Sequence, residues 1–134
     1  MKEPRHPLRN ACDLFIALLL ALNGCGKPSA DSTPTGTPPK PKEAASQLQQ
    51  AFVSANVEVK NTANVASEAL RTANYEKAIE SLQTIKARQN LTFEQGMAVY
   101  NSERALEARL IAGMSAGDAN AKRAYELLKQ IRRN

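Results

Sequence analysis

Few side chains in this chain are of a kind that performs covalent or acid–base chemistry. There is one histidine, His6, and there are two cysteines, Cys12 and Cys25. Carboxylates recur at i, i+4 in Glu76/Glu80 and Glu103/Glu107, which puts each pair on one face of a helix. Carboxylate-bridged metal sites use such pairs but add a histidine three residues further on, and the chain has none there. The pairs therefore read as solvated faces, with Lys77, Lys86, Arg104 and Arg109 close by in sequence. The glycines form no phosphate-cradling loop. A less routine set is Lys60, Asn61, Asn64, Glu68 and Arg71, polar residues that recur at helical spacing.

The elements that carry these residues follow from the rest of the sequence. Residues 1–13, MKEPRHPLRNACD, carry Lys2, Arg5 and Arg9 against Glu3 and Asp13. Residues 14–22, LFIALLLAL, are uninterrupted apolar. As a helix this run spans about 14 Å, too short for a hydrocarbon core of about 30 Å. A basic start, a short apolar run and small residues after it predict a secretory signal peptide over residues 1–24. Its removal would take away His6 and Cys12 and leave Cys25 as the first residue. The remaining chain would lack the groups for histidine acid–base catalysis, Ser-His-Asp or Cys-His nucleophiles, structural zinc and internal disulfides. The net charge of +5 would fall only to +4, too mild to argue for nucleic acid.

Leu22-Asn23-Gly24-Cys25 resembles the lipobox of bacterial lipoproteins, although Asn23 departs from the small or β-branched residue usual there. The resemblance implies diacylglyceryl transfer to the Cys25 thiol, cleavage between Gly24 and Cys25, and acylation of the new amino group. Gly26 follows the cysteine where an aspartate would favour the inner membrane. The resemblance thus implies a lipid anchor in the outer membrane, facing the periplasm.

Residues 26–42, GKPSADSTPTGTPPKPK, are rich in Pro, Ser and Thr and contain no Leu, Ile, Val or aromatic residue. Such a segment cannot bury enough apolar surface to offset its ordering entropy, and its prolines favour extended polyproline II. Residues 25–42 are accordingly expected to be a lipidated cysteine and a flexible tether of at most about 50 Å.

Residues 43–134 have a different texture. No proline follows Pro41, and helix formers dominate. Aromatics are 4% of the whole chain, so the core must be built from Ala, Leu, Val and Ile. The periodicity predicts five helices and no strands. The first covers 43–55 with Ala45, Leu48, Ala51, Phe52 and Ala55 inward. The second covers 57–73 with Val57, Val65, Ala66, Ala69 and Leu70 inward. The third covers 75–88, where Tyr75, Ala78, Ile79, Leu82 and Ile85 give a clean stripe. The fourth runs from Thr92, with Gln95 at capping-box spacing, to Gly113. It carries Phe93, Met97, Tyr100, Leu106, Leu110 and Ile111. The fifth runs from Asp118, its expected cap, to Arg132, with Ala121, Ala124, Tyr125, Leu128 and Ile131 inward. One-sided stripes and short loops predict a small all-α bundle of antiparallel helical hairpins.

Ala73-Asn74-Tyr75-Glu76-Lys77-Ala78-Ile79-Glu80-Ser81-Leu82 resembles the turn and second helix of a tetratricopeptide repeat. The match puts a left-handed turn on Asn74, an aromatic at Tyr75 and a close helix contact at Ala78. A weaker echo begins at Gly117-Asp118, at a spacing longer than that family's repeat. By this resemblance, Asn61, Asn64, Glu68 and Arg71 on the second helix are the candidate face for a partner peptide. The expectation is a membrane-anchored lipoprotein whose helical domain binds or scaffolds envelope proteins, without catalysis, metal or cofactor. The rival readings are a self-associating lipoprotein that braces the envelope, and an enzyme or inhibitor that works through surface carboxylates.

Overall fold

The computed structural model describes residues 36–133. They form one compact unit of five helices, with no strand among the described residues. The helices are α1 (Pro41–Ala51), α2 (Val57–Thr72), α3 (Tyr75–Lys86), α4 (Phe93–Ser115) and α5 (Ala119–Ile131). None of them is long and apolar enough to cross a membrane. Residues 14–22, Gly24 and Cys25, on which the signal-peptide and lipidation expectations fall, lie outside the described residues.

Local chemistry sets most of the boundaries. α1 begins at Pro41, two residues inside the expected tether, because a proline at the first helical position has its φ preset and no amide hydrogen to leave unpaired. The other helices start on side-chain caps. Asn56 accepts from the Val59 amide, Asn74 from Lys77, and Asp118 from Asn120 and Ala121. Thr92 and Gln95 make both halves of the capping box. α4 continues past Gly113 to Ser115 and ends in a Schellman turn. There the Asp118 amide donates to the Gly113 carbonyl at 2.9 Å, the Gly117 amide donates to Met114 at 3.0 Å, and Gly117 takes φ +83°.

The turn between α2 and α3 departs from expectation. The left-handed residue is Ala73, at φ 56° and ψ 30°, and not Asn74. The Asn74 amide closes the turn on the Ala69 carbonyl at 2.9 Å, while its side chain caps α3. Asn74 cannot occupy the left-handed position and the cap of the next helix at once.

α1 packs on α2 and α4, α2 also on α3, and α4 also on α3 and α5, with α3 touching α5. The core is aliphatic, as composition requires. Leu48, Phe52, Ile79, Leu82, Ile85 and Leu110 are its largest fully buried side chains, among many alanines. The α3 stripe lies inward as expected. The α1 and α5 stripes also face the core, whereas those of α2 and α4 need correction. Val57 and Val65 of α2 are exposed, and Val59, Ala63 and Ser67 join the buried face. On α4, Phe93, Tyr100 and Ile111 are exposed, whereas Ala98, Val99, Ser102 and Ala105 are buried. α4 touches three neighbours, and small residues let three helices approach it closely. The buried Ser67 and Ser102 hydroxyls donate to the carbonyls of Ala63 and Ala98, each at 2.8 Å, so neither is left unpaired.

Candidate functional surfaces

The four candidate face residues occupy one side of α2, but they do not line an open groove together. Asn64 Oδ1 accepts from Gln49 Nε2 of α1 at 3.5 Å. Arg71 Nη2 donates to Gln49 Oε1 at 2.7 Å and to Ser46 Oγ at 3.4 Å, and Nη1 stands 3.9 Å from Glu68. Two of the four residues thus hold α1 in place, while Asn61 and Glu68 remain exposed. On its other side α1 meets α4, where Asn101 donates to Gln47 and Gln95 Nε2 reaches the Ala51 carbonyl at 3.4 Å. The chain's own first helix therefore lies between α2 and α4. Lys60, also on the polar side of α2, is exposed.

The paired carboxylates are engaged with cations. Glu103 accepts from Lys86 Nζ at 3.1 Å and from Gln83. Glu107 and Arg132 form a bidentate pair, both contacts at 2.8 Å. The hydrogen bonds from Arg132 hold the Glu107 carboxyl below its ordinary range, and those to Glu107 raise Arg132. Glu80 lies 3.5 Å from Lys77, and Glu76 is exposed at the start of α3. Among the described residues no three His, Cys, Asp or Glu side chains are grouped so that they could hold a metal ion.

Two ends of the bundle differ in character. The starts of α1 and α5, the end of α2 and the turn into α3 lie at one end. There Lys40, Pro41, Lys42, Glu43, Leu70, Arg71 and Arg109 surround a recess of about 400 Å³. A second recess of about 290 Å³ lies between the α2–α3 turn and Asn120 and Arg123 of α5. α1 starts at this end, and before it the chain runs along α4, where Arg104 Nη2 donates to the Gly36 carbonyl at 2.9 Å.

The far end carries the turns into α2 and α4. Val53, Val57 and Phe93 are exposed there, Phe93 at 86%. An ion pair between Arg88 and Glu58 ties the α3–α4 loop to α2. Sequence periodicity counted Val57 and Phe93 as core. Both stand at the first position of a helix, where the stripe points past its neighbours rather than into them.

The chain matches no protein-family model, no curated protein and no solved structure.

Proposed function

We propose that this protein is a bacterial lipoprotein, anchored through Cys25 in the outer membrane, whose helical domain is a non-catalytic binding or scaffold module facing the periplasm. The observation that carries the reading is an order along the chain. A basic start, the apolar run 14–22, Gly24-Cys25 and a Pro/Ser/Thr spacer come in succession, and a compact helical unit begins at Gly36. Acyl chains on one cysteine account for stable membrane attachment, since a single chain binds marginally and two or more bind firmly. The spacer lets the domain reach to at most about 50 Å from the bilayer.

The domain's own surface supports a binding role. Its polar chemistry is spent on ion pairs and helix contacts. Exposed Phe93, Val53 and Val57 lie at the end opposite the start of α1, and Asn61 and Glu68 are exposed on α2. The tetratricopeptide-like reading of residues 73–82 belongs to the same proposal, with α1 covering the side of α2 where Asn64 and Arg71 lie. No cofactor, metal or nucleic acid enters it.

Membrane fractionation of a two-membrane bacterium expressing the chain beside Cys25→Ser tests the reading. The wild type should sediment with outer membranes and the variant should not. Recovery of both chains in the soluble fraction would refute it.

A further inference from the structure

The recess beside the start of α1 brings together four cationic side chains from three helices and the residue preceding α1. Lys40 and Lys42 come from the start of α1, Arg71 from the end of α2 and Arg109 from α4, against Glu43 in the lining and Glu68, which stands 3.9 Å from Arg71. Lys77, Lys86, Arg88, Lys129 and Arg132 are all matched to carboxylates within 4 Å. Lys40, Lys42 and Arg109 are exposed and have no such match among the described residues. Pro41 and the buried Leu70 also line the recess, so apolar surface stands beside the cations.

We propose that this end of the bundle docks on an anionic lipid surface, with Lys40, Lys42 and Arg109 around the recess receiving a phospholipid phosphate. A phosphate needs several donors converging on one point, and lysine and arginine supply charge-assisted hydrogen bonds to it. Proximity selects a lipid over other phosphates, a step that rests on the lipoprotein reading. From Cys25 the chain reaches Lys40 within no more than about 45 Å even when fully extended in polyproline II. Lys40 and Lys42 are the recess residues nearest to Cys25 along the chain, so an anchor at Cys25 would keep the recess within that reach of the headgroups. Docking there would orient the bundle with Phe93, Val53 and Val57 outward.

Each basic side chain held near an anionic surface multiplies partition by about fivefold. The test uses purified full-length Cys25→Ser protein, which cannot be acylated at that position. Partition is measured onto vesicles of phosphatidylcholine alone and of phosphatidylcholine mixed with phosphatidylglycerol. Residues 1–24, with Lys2, Arg5 and Arg9, are the same in every variant, so differences between variants report the recess. The protein should prefer the anionic vesicles, and added salt should weaken the preference. Lys40→Gln/Lys42→Gln/Arg109→Gln should reduce that preference by about tenfold or more. Lys60→Gln/Lys129→Gln/Arg133→Gln, which removes the same charge elsewhere, should retain it. Equal partition onto both vesicle types would overturn the proposal, and so would an equal loss in the two triple variants. Acylation of Cys25 is read independently by mass, so the anchor and the recess can fail separately.

Discussion

Gly113 of α4 lies so close to Ala121 of α5 that a Cβ built on Gly113 would stand 2.7 Å from the Ala121 Cβ. The same residue gives its carbonyl to Asp118, whose carboxylate caps α5. One missing side chain thus sets both the distance between the last two helices and the geometry of their turn. Gly113→Ala should lower stability by about 1–3 kcal/mol, the usual effect of overpacking. Gly96, in the same helix, has open space where its Cβ would be. Gly96→Ala should raise stability by about 0.5–1 kcal/mol. Thermal or urea unfolding of the two variants checks this pair, and changes of the same sign would contradict the close approach.

Ala73 ends α2 in the left-handed conformation that L-residues other than Asn and Asp seldom adopt. The Ala73 and Asn74 amides, both donating to the Ala69 carbonyl, and the Asn74 cap hold it there. Ala73→Gly should therefore stabilise the domain by about 0.5–1 kcal/mol. Asn74→Ala should destabilise it by about 1 kcal/mol through loss of the cap. A destabilised Ala73→Gly variant would mean that the turn is not strained.

The contrast between Ala73 and Thr92 shows what the sequence made legible. Thr92 and Gln95 carry their capping chemistry in their side chains, so spacing alone revealed the start of α4. Ala73 carries no such signal, and only the Asn74 cap behind it forces the alanine into the unusual conformation. The α3 stripe of Tyr75, Ala78, Ile79, Leu82 and Ile85 was legible because its largest apolar side chains face the core. On α4 the bulkiest apolar residues include exposed Phe93, Tyr100 and Ile111, while alanines and a serine meet three neighbours. Periodicity weighted by side-chain size misassigns such a helix. The polar face of Asn61, Asn64, Glu68 and Arg71 was legible as a face of α2. That Asn64 and Arg71 grip α1 depends on tertiary contact, as does the pairing of Glu107 with Arg132.

That last pair makes stability depend on pH. Arg132 lowers the Glu107 pKa in the folded state, so the folded protein holds this proton less tightly than the unfolded chain. The contribution is present above the unfolded carboxylate pKa of about 4.3 and is lost as pH falls through the lower folded value. At neutral pH, Glu107→Gln should be less stable than wild type by at most about 1 kcal/mol, since both groups are partly solvated. Unfolding midpoints measured from neutral to acid pH should converge below that range. A constant gap would remove the ion pair as its cause.

α1 belongs to the folded unit although its first two residues, Pro41 and Lys42, continue the composition of the tether. Leu48 is fully buried between α1's neighbours, and Phe52 just past the helix is 1% exposed. Leu48→Ala should cost about 2–5 kcal/mol and Phe52→Ala about 3–5 kcal/mol. Denaturant unfolding checks both. Losses below about 1 kcal/mol would mean that α1 is an appendage and that α2 and α4 pack without it.

The central claim is covalent attachment of the domain to a membrane through Cys25. Its most direct test is the intact mass of the chain extracted from membranes of a two-membrane bacterium. The expected chain begins at Cys25, lacks residues 1–24 and carries the added mass of acyl groups, with neither change in Cys25→Ser. A full-length, unacylated wild-type chain would contradict it.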